Sequence, residues 1–252
     1  MVKLCNQVVA FGQILSLCTK LKNHLTGDLA MKIGIFTAME KEAVSFLDNA
    51  TKTMDGSFAI YNFQLGNHDA VLCVPATVGE IAASASCQLL ISKYNVDLIL
   101  NFGVVGALTE QMSVCSTVLV KDVVHYDMDV SAIDNIPVGR YGCFDDVAVP
   151  TDAKLLAKAL ELKDMPVVRC ASADKFVDDA QAKSALNTNF GADICDMESA
   201  GILFACRFNN VPCLLVKCIS DSLFGGYAEY RLTTSQVTKG FLDLATKIVE
   251  NF

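Results

Sequence analysis

The sequence predicts an α/β protein: one three-layer α/β/α domain with a central mixed, mostly parallel, twisted sheet flanked by helices. Apolar strand-like runs alternate with helix-period segments from residue 32 onward. These runs, such as Val96-Asp97-Leu98-Ile99-Leu100, lack strict apolar–polar alternation, as strands do when both faces are covered. The 252 residues, 52% of them hydrophobic, suffice for a sizeable single core.

Each element follows from local signals. Over residues 1–30, Val8, Val9, Phe11, Ile14, Leu15 and Leu21 recur at roughly helical spacing, which predicts an amphipathic helical extension without an assigned role. Polar residues interrupt it and no small-residue cleavage site follows, so it reads poorly as a secretion signal. The domain proper is expected over 31–252. It opens with a strand at 32–37 and a helix over 40–49. Strands near 58–64 and 69–75 flank Gly66-Asn67, a hairpin signal. A helix over 78–93 carries Ala82, Ala83, Ser84 and Ala85, which permits close packing. The strand from Val96 leaves through a turn at Gly103, and another strand covers 116–124. Helices are expected at 151–163, 179–187 and 197–208, strands near 166–171 and 212–219, and a last helix over 231–250. No repeat, low-complexity tract or linker interrupts the chain after residue 30.

The net charge of −8 and the lack of any basic run argue against nucleic acid as a partner. No apolar stretch reaches the roughly 18–20 residues of a membrane span, so no membrane partner is expected. Eleven cysteines, none in a C-x-x-C pair, read as buried small hydrophobes in a reduced compartment, which points to the cytoplasm. The three histidines, His24, His68 and His125, show no ligand spacing, so neither a metal nor a cofactor is expected.

Four acidic or polar clusters fall at strand-to-helix junctions: Met39-Glu40-Lys41-Glu42, Ala76-Thr77-Val78-Gly79-Glu80, Asp196-Met197-Glu198 and Ser220-Asp221. In a doubly wound sheet such junctions converge at one edge. Alone, each has a plainer reading. Glu42 reads as a solvated helix face, Glu198 as an acid favoured by a helix N-terminus, and Asp221 as an N-cap. His125 reads as a satisfied hydrogen-bonding residue. Against this, a Glu beside a Met suits a ribose: the carboxylate accepts from two vicinal hydroxyls while the thioether of Met197 lies on the sugar.

Together the clusters resemble a family. Gly34-Ile35-Phe36-Thr37-Ala38-Met39-Glu40-Lys41-Glu42 is similar to the opening of the 5′-methylthioadenosine/S-adenosylhomocysteine nucleosidases, of the nucleoside phosphorylase superfamily. Asn101-Phe102-Gly103-Val104-Val105-Gly106-Ala107 resembles that family's glycine-rich strand end. Tyr126-Asp127-Met128-Asp129-Val130 resembles its Asp-x-Asp-Val segment, and Ser172-Ala173-Asp174-Lys175-Phe176-Val177 its Ser-Gly-Asp-x-Phe-Ile segment. Asp196-Met197-Glu198 and Ile219-Ser220-Asp221 complete six collinear motifs.

The resemblance implies hydrolysis of the bond between adenine and a 5′-thio-substituted ribose, as in 5′-methylthioadenosine, S-adenosylhomocysteine or 5′-deoxyadenosine. It makes Asp221, protonated with substrate bound, the general acid toward N7 of the purine. Glu42 becomes the base for the attacking water, and Glu198 the ribose ligand that stabilises cationic character beside it. Met197 would back the sugar, Phe176 would stack on adenine, and the Val177 main chain would read its edge. Met39 would wall an apolar 5′ pocket that Tyr227 or Tyr230 closes. Ser220, Ala76 and Gly103 fall at further substrate-contacting positions. A homodimer is implied, with the neighbouring subunit completing the pocket near His125 to Val130.

Three positions depart from the family pattern. Ala76 replaces a Ser, Lys217 an Arg, and Asp196 the first Glu of Glu-Met-Glu. Lys217 keeps the charge without the bidentate fork. These changes bear on which 5′ substituents are accepted. Two other readings stand beside hydrolysis. A nucleoside phosphorylase on the same fold would need cationic and hydroxyl groups for phosphate, whereas the first loop here is anionic and Ala76 and Val104 offer no hydroxyl. A non-catalytic nucleoside-binding relative would be expected to lack one of the three acids.

Overall fold

A computed structural model of the protein describes residues 30–237 and 240–250. The helix expected within residues 1–30 lies outside the described residues, except for Ala30. The strands are β1 (Lys32–Phe36), β2 (Thr51–Asp55), β3 (Phe58–Leu65), β4 (His68–Pro75), β5 (Leu98–Ala107), β6 (Thr117–His125), β7 (Val149–Pro150), β8 (Val167–Ser172), β9 (Ile194–Asp196) and β10 (Cys213–Asp221). The helices are α1 (Glu40–Leu47), α2 (Glu80–Ser92), α3 (Ser131–Asp134), α4 (Ala153–Leu162), α5 (Ala180–Phe190), α6 (Ser199–Asn209), α7 (Gly226–Val237) and α8 (Phe241–Val249).

The sheet is mixed and parallel at its centre, where β4, β1, β5 and β10 lie side by side. β3 and β2 extend it antiparallel beyond β4. On the other side β10 pairs with β6, β6 with β8, β8 with β9, and β9 returns to β5. The far part of the sheet thus closes on itself, and the carboxyl ends of β5, β9 and β10 meet.

Local sequence explains these elements. Ile33 and Ile35 of β1 and every residue of β10 are buried, as strands covered on both faces must be. The β3–β4 hairpin turns at Gly66, whose φ of +59° few side chains tolerate. α2 packs on α6 through its small residues, while α1 packs on α7 and α8. Phe102 of β5 holds α1 and α8 together, with ring centroids 5.5 Å from Phe46 and 5.2 Å from Phe241. Asp152 accepts from the backbone N–H groups of Lys154 and Leu155 and fixes the start of α4.

The structure differs from expectation in several places. The strand from Val96 does not turn at Gly103 but runs on as β5 to Ala107, and the short α3 and β7 were not anticipated. β2 is an edge strand whose first four residues are exposed, so no apolar pattern announced it. β9 is three residues long, too short for any periodic signal. The helix expected over 231–250 is two helices, the first opening at Gly226 with φ +53°.

Candidate active site

Glu42 sits on the first turn of α1, but it is not the solvated residue that its position alone suggests. It is 2% exposed. One carboxylate oxygen accepts from the backbone N–H groups of Ala38 (3.0 Å) and Met39 (3.1 Å), the other from that of Val104 within β5 (3.2 Å). The bond to Met39 is half of a capping box, so the sequence folds this loop around the carboxylate. Burial pushes the Glu42 carboxyl above its ordinary range, opposed by Lys217 and these backbone N–H groups.

Lys217, on β10, is the cation of the cluster. Its ammonium lies 2.8 Å from Asp196. Burial alone would raise the Asp196 carboxyl. Lys217, with donors from Ser172 (2.6 Å) and Ser199 (2.5 Å), outweighs this and holds it below its ordinary value. Glu198, two residues on, caps α6 by position but not by side chain. Its carboxylate accepts instead from the backbone N–H of Gly79 (3.0 Å), a residue at φ +109°. Burial, then the charge on Asp196, push the Glu198 carboxyl up to about 8, with Glu42 adding to the rise and Lys217 opposing it. Asp196 thus pairs directly with Lys217, while Glu42 and Glu198 are buried close enough to feel its charge.

Glu80 joins this network through Ser172, whose hydroxyl lies 2.5 Å from Glu80 and 2.6 Å from Asp196 and accepts from the backbone N–H of Ala200. A hydroxyl has one proton to donate. One of the two carboxyls must therefore bring its own, and Glu80, pushed up to about 7 by burial and by Asp196, is that group.

Asp221 stands apart from the cluster. It ends β10, is 2% exposed, and pairs at 2.5 Å with Lys183 of α5, which is fully buried. Lys183 also donates to the Ser222 carbonyl (2.7 Å), and Ser220 donates to Asp221 (2.8 Å). The glycines of β5 give the scale. A Cβ at Gly103 would lie 3.7 Å from Glu42 and 3.6 Å from Lys217; one at Gly106 would lie 3.0 Å from Asp221 and 3.5 Å from Lys183. The two groups therefore meet β5 at positions three residues apart, whose backbone atoms are about 10 Å from each other. Cys195 lies with the second group, its sulfur 3.4 Å from a Cβ at Gly106, and burial pushes its thiol up to about 12.

The remaining candidates distribute around these groups. Met39 receives the Tyr230 hydroxyl at 3.8 Å, and Tyr230 stacks edge-on with Phe176 at 5.5 Å. Tyr227 is 6.3 Å from Phe176 and more exposed, so Tyr230 is the tyrosine at Met39. Val177 is buried and Met197 half-buried, while Ala76 is exposed. Met39, Ala76, Thr77 and Val78 line a cavity of about 380 Å³ that runs on to Lys52 and Met54. A larger hollow of about 540 Å³, lined by Val138, Arg169 and Phe190 among others, contains none of the candidate residues. His125 has a partner on each ring nitrogen, Tyr141 at 2.7 Å and Asp127 at 2.9 Å. Among the described residues no three His, Cys, Asp or Glu side chains are grouped to hold a metal ion.

Sequence reasoning missed Lys183, which on a polar helix looks like a solvated charge. It placed Glu80 and Asp196 in clusters without giving either a role of its own, and it noted Lys217 only as a departure.

The profile of the Phosphorylase superfamily matches residues 32–251. An aminodeoxyfutalosine nucleosidase of Campylobacter jejuni is 29% identical over 208 residues, 79% of this chain and 89% of that protein. A 5′-methylthioadenosine/S-adenosylhomocysteine nucleosidase of Shewanella halifaxensis is 30% identical over 202 residues, 76% of this chain and 86% of that protein. The crystal structure of the Helicobacter pylori 5′-methylthioadenosine/S-adenosylhomocysteine nucleosidase superposes with a TM-score of 0.83 at 22% identity, covering 89% of this chain and all of that one. The chain belongs to the phosphorylase superfamily, among its nucleosidases.

Proposed function

We propose that the protein hydrolyses the N-glycosidic bond of 5′-methylthioadenosine and related 5′-substituted adenine nucleosides, releasing adenine and the 5′-substituted ribose. The observation that carries this reading is the burial of Glu42, Asp196 and Glu198 within reach of the Lys217 charge, with a direct ion pair to Asp196 alone. A site with more carboxyls than cations favours a substrate whose sugar becomes cationic in the transition state. Glu198 takes the ribose hydroxyls, with Met197 against the sugar. Glu42, oriented by three backbone N–H groups, takes the proton of the attacking water. Asp221 gives a proton to the purine as the bond breaks. Phe176 stacks on adenine, the Val177 main chain reads its edge, and Ser220 holds the Asp221 carboxyl. Met39, Ala76 and Tyr230 bound the 5′ substituent. Gly103 keeps the floor beside Glu42 open. A second copy of the chain completes the pocket near His125 to Val130, and the domain that does this is 31–252.

The relatives leave two 5′ groups to distinguish, since one is named for aminodeoxyfutalosine and the other for 5′-methylthioadenosine and S-adenosylhomocysteine. The apolar Met39, Ala76 and Val78 favour the thioether. The test is free adenine measured against these nucleosides in buffers with and without phosphate. Release from 5′-methylthioadenosine without phosphate is expected. Asp221→Asn is expected to lose about 10²–10⁴ of the rate while still binding an adenosine analogue. Strict phosphate dependence would make the protein a phosphorylase. Binding without turnover in the unmutated protein would make it a binding relative.

A further inference from the structure

Lys183 is fully buried, yet the chemistry above gives it no task. Its surroundings do not ask for a charge. Leu108, Val177, Leu186 and Cys195 form an apolar cluster beside it, which a Met or Leu at 183 would simply extend. A buried ammonium carries a heavy desolvation cost unless it is paired and hydrogen-bonded. Lys183 is both, with Asp221 at 2.5 Å and the Ser222 carbonyl at 2.7 Å.

We propose that Lys183 is a positioning residue for proton delivery by Asp221: its ammonium orients the acid and stabilises the carboxylate left when the proton reaches the purine. This rests on the nucleosidase reading. As the bond between sugar and purine breaks, its electron pair passes to the purine. The Asp221 proton goes to purine N7, and the new carboxylate faces Lys183. Water returns the proton once the product has left.

Two contacts suit Lys183 to this. The Ser222 carbonyl holds the ammonium whichever charge Asp221 carries, so the cation stays while the proton moves. The Ser220 hydroxyl lies 2.8 Å from Asp221 and 3.1 Å from the Val105 carbonyl. When Asp221 is ionised the hydroxyl donates to it. When Asp221 is protonated on that oxygen, it donates to Ser220 and Ser220 donates to Val105. Both states are hydrogen-bonded without any heavy atom moving.

The test uses the full-length protein with Lys183→Met, and Lys183→Gln should the Met variant not fold. Adenine release from 5′-methylthioadenosine is compared with nitrophenolate release from a 4-nitrophenyl riboside bearing the same 5′ group. Nitrophenolate leaves without needing a proton. Lys183→Met is expected to slow adenine release by about 10–10²-fold in kcat, part of what a general acid contributes, and to leave nitrophenolate release nearly unchanged. Lys183→Arg is expected to restore most of the loss. Full adenine release in Lys183→Met, or equal slowing with both leaving groups, overturns the proposal. If the wild type does not accept the nitrophenyl substrate, affinity for an uncleavable adenosine analogue decides. A fall in kcat with unchanged affinity supports the proposal, and parallel losses overturn it. A wild type that releases no adenine from any nucleoside fails earlier, at the nucleosidase reading itself.

Discussion

The two charged regions at the carboxyl ends of β5 and β10 are built on opposite principles. Around Lys217, one ammonium pairs with Asp196 and acts on Glu42 and Glu198 nearby, and burial drives Glu42 and Glu198 toward their neutral forms. Around Lys183, one ammonium meets one carboxylate, and the pair is balanced. The first region is short of positive charge and gains from a substrate that supplies it. The second has its countercharge built in. Acid side chains of one chemical type are thus given different charge surroundings by the cations beside them.

The largest effect should come from removing the shared cation. Lys217→Met leaves Asp196 buried and unpaired, and stripping one partner from a buried pair costs about 3–5 kcal/mol. Urea denaturation would read this directly. Lys217→Arg should retain most of the stability, and an equal loss for Arg and Met would show that the cluster depends on the exact length of the lysine rather than on its charge.

Next comes pH. The Glu198 carboxyl is raised from 4.5 to about 8 in the folded protein, so the native state holds a proton there that the unfolded chain has released. That stability is fully present below 4.5 and is lost as pH rises toward 8. The thermal midpoint of the unliganded protein should therefore fall over this interval, and Glu198→Gln should flatten the fall. A profile identical in the variant would break the contrast between the crowded and the balanced region.

The smallest effect belongs to Glu80→Gln. If Glu80 already carries a proton toward Ser172, the amide replaces it nearly isosterically, and stability near pH 6 should change by less than about 1 kcal/mol. A larger loss would mean that Glu80 is ionised and that Ser172 donates to it instead of to Asp196.

Much of this architecture was legible beforehand. β1, the β3–β4 hairpin, α2 and β10 carried apolar runs or a turn signal that only those structures satisfy. Glu42, Glu198 and Asp221 stood out through their motifs. β2 was not legible because Thr51-Lys52-Thr53-Met54 faces solvent and pairs only at the sheet edge. The sequence also kept back the partners of the acids. Lys183 lies between Ala182 and Ser184 on a helix with no clear apolar stripe, and nothing local tells a buried ammonium from a solvated one. The contact with Asp221, 38 residues away, exists only once α5 has docked. The same holds for Glu80 and Ser172, 92 residues apart in the chain.

That unannounced edge strand has a consequence for the site. Lys52 of β2 and Tyr61 of β3 hold Glu40, at 2.6 Å and 2.5 Å, on the same helical turn as Glu42. The turn that carries Glu42, the proposed base, is thus moored to the outermost, least protected margin of the sheet. Local opening starts at such margins. When the margin frays, the Glu42 side of the site should slacken before the Asp221 side, so that, on the proposed roles, a nucleoside would still be held after the ability to cleave it had gone.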